Sequence, residues 1–299
     1  MDHSTIQYTH CPFCQSDDIH PVLAATDYTV SRETYEIWHC GTCTSRFTQQ
    51  VPDAAHIGPY YRSQNYISHS DTARGIVNRL YHIVRSHTLR QKKKMINRLS
   101  QKSTGRLLDI GAGTGAFAAT MQDAGWQVTG LEPDDTARQQ ALQKHGLQLL
   151  SPDTLYTLAP GSFDVITLWH VLEHVHDLHG YFKRFGELLK PGGVLIIAVP
   201  NYTSRDAETY GQYWAAWDVP RHLYHFSPKG MGILAGNHGF RCRSILPMWF
   251  DAFYVSMLSE KYRGNRWGLI RACWKGMMSN IVSFTDKTRC SSVIYVLEK

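Results

Sequence analysis

The rhythm of apolar and polar positions changes three times along the chain. Residues 1–50 are polar, with only short apolar stretches. From about 72 to 101, Val77, Leu80, Val84, Met95 and Leu99 recur at roughly helical spacing among basic residues, which predicts one long helix. Beyond 104 the texture becomes strand, turn, helix. RLLDI (106–110), WQVTGLE (126–132), LQLL (147–150), FDVITLW (163–169) and GVLIIAVP (193–200) read as strands. AFAATMQDA, DDTARQQALQKH and DLHGYFKRFGELLK read as helices, the last one stopped by PGG. The continuous apolar run VLIIAV is what a strand needs when helices cover both faces of its sheet.

After a polar, aromatic loop to about 226, SPKGMGILAGNHG predicts a helix with Ser227 as N-cap, Pro228 at its first position and Gly239 just past its end. FRCRSILP predicts a strand, 251–262 and 266–284 two helical stretches, and SSVIYVLEK a closing strand. Alternating β and α segments predict an α/β fold with a doubly wound, mostly parallel, seven-stranded sheet. A helical insertion precedes the last strand, and a small module precedes the whole. The expected domains are 1–50, a linker with a basic helix at 51–103, and the main domain at 104–299.

With 299 residues and 43% apolar content the chain can bury an ordinary core. No charged-then-apolar leader opens it, and VLIIAV is far too short to cross a bilayer, so a cytoplasmic location is expected. The net charge of +6 is concentrated: between Asp71 and Asp109 stand ten Lys or Arg and no acid. That stretch reads as a solvated helix face, with an anionic acceptor, RNA or an acidic membrane surface as alternative partners. The sequence does not fix an oligomeric state.

CPFC (11–14) and CGTC (40–43) form two pairs separated by 25 residues. Cys11, Cys14, Cys40 and Cys43 offer four thiolates, the donor set of a closed, tetrahedral, structural Zn²⁺ site. A module this small would draw its folding energy from the metal. Cys242, Cys273 and Cys290 are expected in the core.

LLDIGAGTG (107–115) places Asp109 near a strand end and three glycines, Gly111, Gly113 and Gly115, before a helix. Such a bend lets backbone approach a ligand closely. The spacing is G-x-G-x-G rather than the dinucleotide pattern, and an acid sits where a pyrophosphate would be repelled. The arrangement suits a cationic ligand with an amino-acid tail. Glu132, ending the second strand, can accept both hydrogens of a ribose diol.

With LLDIGAGTG, GLEPD (130–134), FDVITLWHVLEHVHD and LLKPGGVLIIAVPN in this order, residues 104–240 resemble a class I S-adenosylmethionine-dependent methyltransferase, and within that superfamily the type-23 methyltransferase domain. The resemblance implies S-adenosylmethionine as cofactor. It places the methionine moiety by Asp109, Gly111, Ala112, Gly113 and Gly115, and the ribose by Glu132 and Pro133. Adenine would lie near Asp153–Leu155, and Trp169 and His170 would line the pocket.

HVLEH (170–174) also matches the H-x-x-E-H pattern of a zinc peptidase class. A peptidase site needs both histidines on one helix face. Here the pentapeptide directly follows a strand, so it reads as a turn at the carboxyl edge of the sheet, with Glu173 and His174 bracing it. His176 and His179 read as solvated.

The loop 201–228 ends in RHLYHF. A histidine there suits removal of an acceptor proton. His222 is the first candidate base, His225 the second, and Tyr224 lies between them; anchoring a lid is the competing role. The segment resembles the Y-H-E-H-x-x-Y-F-S stretch of zinc-containing sugar C-methyltransferases, where His222 aligns with the second histidine. It departs at Val219, Arg221 and His225.

The stripe Trp267, Ile270, Trp274, Met277 or Met278 and Ile281 reads as core, or as a cap over an apolar acceptor. The expected activity is methyl transfer to a small-molecule, saccharide or lipid-linked acceptor, at oxygen ahead of carbon. An RNA methyltransferase using the ribbon and basic helix is the second reading, and a non-catalytic cofactor-binding scaffold the third.

Overall fold

The computed structural model describes residues 4–61, 76–249, 251–265 and 268–299, with backbone alone at 76–85, 269 and 270. The N-terminal stretch holds β1 (Thr5–Ile6), β2 (Ile19–Thr26), β3 (Thr34–Cys40), β4 (Arg46–Thr48) and β5 (Val51–Pro52). A long helix, α1 (Ile76–Ser100), leads to β6 (Arg106–Ile110), α2 (Ala116–Asp123), β7 (Gln127–Leu131), α3 (Asp135–His145), β8 (Phe163–Trp169), α4 (Leu178–Leu188) and β9 (Leu189–Pro200). Then come α5 (Arg205–Tyr210), β10 (Tyr224–His225), α6 (Pro228–Asn237), β11 (Arg241–Pro247), α7 (Asp251–Tyr262), α8 (Gly268–Thr285) and β12 (Ser292–Glu298).

A six-stranded sheet has the order β11-β12-β9-β8-β6-β7, and β6 runs parallel to both β7 and β8. Its count is six rather than the expected seven because LQLL makes one bridge, Leu150 to Leu131. Leu147 and Leu149 pack instead against Ala118 and Ala141, and a 3-10 turn begins at Pro152, so no ladder can extend. The N-cap reading at Ser227 holds: its side chain accepts from Gly230 N at 3.0 Å, and Pro228 opens α6.

Two compact units divide the chain. One comprises Met1–Tyr66, His170–Leu178 and Ala198–Tyr295; the other comprises Ile67–Trp169, His179–Ile197 and Val296–Lys299. Within the first unit, β2, β3 and β4 form an antiparallel ribbon, and β10 adds a fourth strand through Tyr224 opposite Phe47 and His225 opposite Arg46. The ribbon expected at 1–50 therefore borrows a strand from residue 224 onward. Its hydrophobic support comes from Ile37 with Tyr210, Trp214, Trp217 and Val219.

The helical insertion departs from expectation. On α8 the small residues face inward: Ala272, Ser279 and Ser283 are buried, and a Cβ on Gly276 would come 2.8 Å from Phe253 Cδ1. Trp274, Met277, Met278, Ile281 and Phe284 are exposed instead of forming core, because close approach of α7 selects the small side of the helix. Trp267, the side chain of Ile270, Arg74 and the side chains of Arg79 and Arg85 lie outside the described residues. Of the cysteines expected in the core, Cys290 is buried, but Cys242 and Cys273 are exposed. No helix among the described residues is long and apolar enough to cross a membrane.

Candidate functional site

In the second unit, the glycine bend follows β6. Asp109 sits in register between Gly130 of β7 and Thr167 of β8, 1% exposed, and accepts a hydrogen bond from Thr167 Oγ1 at 2.8 Å. Burial raises its carboxyl to about 7, against the opposing pull of that hydroxyl and of the Lys92 ammonium. Gly111 N and Ala112 N both donate to Leu131 O, at 2.8 and 2.9 Å, which ties the bend to the end of β7. Gly113 has φ +55° with open space where a Cβ would stand. Gly115 has φ +79°, and a Cβ there would come 3.0 Å from Ala141. The first glycine serves an approach and the second a packing constraint.

Glu132, also buried, holds the bend from the other side. Its Oε2 accepts from Gly113 N at 2.7 Å and its Oε1 from Asp134 N at 3.0 Å. Burial raises its pKa, opposed by those two amides. Each oxygen keeps a second lone pair for a ligand hydroxyl. Pro133 O accepts from Arg138 Nη1 at 3.0 Å. Asp153 is exposed, whereas Leu155 is fully buried and its carbonyl is gripped by Arg184 Nη2 at 3.0 Å.

Trp169 meets Phe117 edge-on at 5.5 Å, and its buried indole N–H has no hydrogen-bond partner among the described residues. Lys92 Nζ lies 3.8 Å from the Trp169 ring centroid. This lysine was not distinguishable in sequence from its basic neighbours. It makes one point plain: the aromatic face beside the buried Asp109 already accommodates an ammonium.

In the first unit, HVLEH is the expected turn. His170 has φ +57°, and Leu172–His174 is a single 3-10 turn, so His170 and His174 do not share a helix face. That geometry removes the peptidase arrangement. His170 Nε2 lies 2.8 Å from Asp251 and its Nδ1 3.4 Å from Glu173. Burial would lower its pKa, but the two carboxylates outweigh it and raise the ring to about 10.

The predicted bases separate by environment. His225 is buried, with Nε2 3.0 Å from Thr48 Oγ1 and its ring edge-on to Trp217; burial, with His222 and Arg46 nearby, lowers its pKa well below the ordinary value. Tyr224 packs edge-on to Phe13 and near Tyr8, and burial raises its phenol well above the ordinary value. Both serve the ribbon. His222 is different: Nδ1 donates to Ala216 O at 2.9 Å, leaving Nε2 4.0 Å from Glu173 Oε1 and 3.9 Å from Asp218 Oδ2. His174 packs edge-on to His222 at 4.6 Å, and burial lowers its pKa to about 4. His176 is half-buried, with Nε2 3.2 Å from Pro52 O, rather than solvated.

Arg221 anchors this cluster. Fully buried, it binds Asp27 Oδ1 at 3.0 Å, Asp218 Oδ1 at 2.7 Å and Tyr60 O at 2.9 Å. Asp27 in turn organises the β2–β3 loop, accepting from Thr29 N and Ser31 N at 2.9 and 2.8 Å. The Arg221 guanidinium and these donors hold the Asp27 carboxyl far below its ordinary value despite burial.

The four predicted metal ligands converge. Cys11 Sγ lies 3.5 Å from Cys43 Sγ, Cys14 Sγ lies 3.7 Å from Cys40 Sγ, and all four fall within 4.8 Å of one another. Tetrahedral Zn²⁺ with bonds of about 2.3 Å spaces its sulfurs by about 3.8 Å. Phe13 N donates to Cys11 Sγ at 3.4 Å, and Gln15 and Thr44 take positive φ just after their knuckles. The thiolate set fits the metal.

A family model described as a methyltransferase domain matches residues 84–245. A ubiquinone biosynthesis O-methyltransferase of Albidiferax ferrireducens is 36% identical over 115 residues, which are 36% of this chain and 45% of that one. Its counterpart in Xanthomonas euvesicatoria pv. vesicatoria is 29% identical over 160 residues, 49% of this chain and 66% of that one. The chain thus spans about half to two thirds of these relatives' lengths. Among solved structures, phosphoethanolamine N-methyltransferase 2 of Haemonchus contortus, in complex with S-adenosyl-L-methionine, is 20% identical with a TM-score of 0.48, covering 70% of this chain and 52% of that one.

Proposed function

The chain belongs to the methyltransferase domain family, and on that premise we propose that it transfers the methyl group of S-adenosylmethionine to a hydroxyl of a small-molecule acceptor. The observation that carries the reading is the acid and aromatic pair at the glycine bend. The Trp169 face accepts the Lys92 ammonium, whose charge also lowers the pKa of Asp109, and the cofactor's methionine tail presents the same group. Trp169 supplies an indole N–H that has no partner among the described residues, and Glu132 has lone pairs for the ribose hydroxyls.

The reaction is an in-line displacement. The acceptor oxygen forms a bond to the methyl carbon as the carbon–sulfur bond breaks, and the electron pair stays on sulfur, giving neutral S-adenosylhomocysteine. The acceptor proton leaves to a base. Alignment of oxygen, carbon and sulfur supplies most of the acceleration. His222 Nε2 is the proton acceptor of the metal-free chain in this reading, since Ala216 O fixes the tautomer that leaves that nitrogen a lone pair. Oxygen as target is supported by the two relatives named O-methyltransferases. Lys92 of the basic helix is engaged by Trp169, which takes one cation from that helix as an RNA-binding face. The four thiolates would hold a structural Zn²⁺, with no open position for chemistry.

Incubation with methyl-labelled S-adenosylmethionine and fractionated extract tests the proposal. Label should enter a small-molecule fraction, and His222→Gln should slow turnover about 100-fold with cofactor affinity unchanged. Label in RNA overturns the acceptor class. Tight cofactor binding with no labelled fraction leaves a scaffold.

A further inference from the structure

Glu173 is the most anomalous side chain in the first unit. It is 0% exposed, and neither carboxylate oxygen has a hydrogen-bond partner among the described residues. A buried carboxylate without hydrogen bonds is costly and favours a cation beside it. His170 Nδ1 lies at 3.4 Å without hydrogen-bond geometry, and that ring has the closer partner in Asp251.

Two imidazoles converge on the same point. One donor atom each from Glu173, His174 and His222 lies within 4.8 Å of the others. A tetrahedral divalent ion with bonds of about 2.1 Å holds its donors about 3.4 Å apart, so closing the widest pair takes at most about 1.4 Å. The tautomers are already set. His174 Nδ1 donates to Arg221 O at 3.0 Å, with the Tyr61 hydroxyl oxygen also 3.1 Å from it, and His222 Nδ1 donates to Ala216 O at 2.9 Å. Each ring is left with its Nε2 lone pair, the state in which histidine binds metal, and the backbone carbonyl supports it as outer-shell partners do.

The charge balance points the same way. Around the cluster stand the carboxylates of Asp27, Asp218, Glu173 and Asp251, with Arg221 as the permanent cation. Asp27 and Asp218 take up Arg221, the latter through Nε at 3.1 Å and Nη2 at 2.7 Å, which leaves Glu173 facing imidazoles, His170 at 3.4 Å and His222 at 4.0 Å.

We propose that Glu173, His174 and His222 form a second metal site, for a divalent first-row ion of the Zn²⁺ class, independent of the four cysteines. Two histidines and one carboxylate leave coordination positions open, unlike the thiolate site. The H-x-x-E-H text is then half a signature: its Glu173 and His174 are ligands, and His222 replaces His170. With metal bound, His222 Nε2 no longer takes a proton. An acceptor hydroxyl held by the ion would be acidified and would release its proton to solvent before attacking the methyl carbon. That last consequence, unlike metal binding, rests on the methyl-transfer reading.

The full-length protein, stripped by chelator and titrated with Zn²⁺ or Co²⁺, tests the site. The wild type should take up two ions per chain. Glu173→Gln and, separately, His174→Gln should take up one, and Cys11→Ser with Cys40→Ser should retain one that Glu173→Gln removes. Zn²⁺ should raise the wild-type Tm more than that of Glu173→Gln, and circular dichroism of each variant reports folding. Should the variants not fold, the wild-type cobalt spectrum decides: a second cobalt free of thiolate charge transfer supports the site. A single ion per chain, lost only with the cysteines, or two ions retained by Glu173→Gln, overturns it.

Discussion

Asp109→Asn should move stability and cofactor affinity in opposite directions. The side chain is 1% exposed, and its folded-state pKa lies at about 7 against an ordinary 3.8. The native protein therefore keeps a proton that the unfolded chain releases between those values. Stability falls as pH rises through this window, by up to about 1.4 kcal/mol per pH unit, and levels off above it. Once ionised, the carboxylate costs the empty fold on the order of 4 kcal/mol. Asn removes that cost while still accepting from Thr167, so the variant's Tm should exceed the wild type's by several degrees at pH 8 and match it near pH 4.

Binding runs the other way. A carboxylate about 4 Å from the cofactor's ammonium gains roughly 4 kcal/mol at an effective dielectric of about 20. After exchange against water, about 1.5–3 kcal/mol survives, or a 10- to 100-fold loss of affinity in Asn. Wild-type affinity should climb from pH 5.5 to 7.5 as Asp109 ionises, and the variant's should stay flat. Titration calorimetry at four pH values, with thermal unfolding in the same buffers, measures both. Equal affinities with parallel pH profiles would show that no cation meets Asp109.

Asp164 offers the reverse sign. Burial alone would raise its carboxyl, but Arg106 N, Lys102 and Lys190 hold it at about 2. The lysines are partly exposed, so Asp164→Ala should cost about 1–3 kcal/mol by urea unfolding near neutral pH. That difference should vanish as acid carries the pH from about 4 to 2, and a pH-independent loss would argue for packing alone. Arg221→Met leaves Asp27 and Asp218 buried without their cation and should destabilise by about 3–5 kcal/mol; a loss under 1 kcal/mol would mean that solvent compensates them. Replacing Cys11 and Cys40 with Ser should release one zinc per chain and lower the Tm, and an unaltered metal content would remove zinc from the ribbon.

What the sequence made legible is what repeats locally. RLLDI, FDVITLW and the buried run to Pro200 form the strands their patterns predict, and Ser227, Pro228 and Gly239 bound their helix through bonds within a few residues. The two cysteine knuckles converge because spacing alone encodes them. Failures share a cause. Whether LQLL extends a sheet depends on what Ala118 and Ala141 offer its leucines. Which side of α8 faces inward depends on how closely α7 approaches, and a count of large apolar residues chose the wrong side. Arg221 reaches Asp27 across 194 positions, and Lys92 reaches Trp169 with no periodicity to announce it. For the same reason, the sequence kept His225 as a second candidate behind His222, while burial and hydrogen bonding set the two apart.

Titration of the purified chain with S-adenosylmethionine, alongside NADH, examines the whole account at its root. One molecule of S-adenosylmethionine should bind per chain, with affinity reduced at least 10-fold in Glu132→Ala and no heat from NADH. Silence toward S-adenosylmethionine, or saturable binding of NADH in its place, would contradict it.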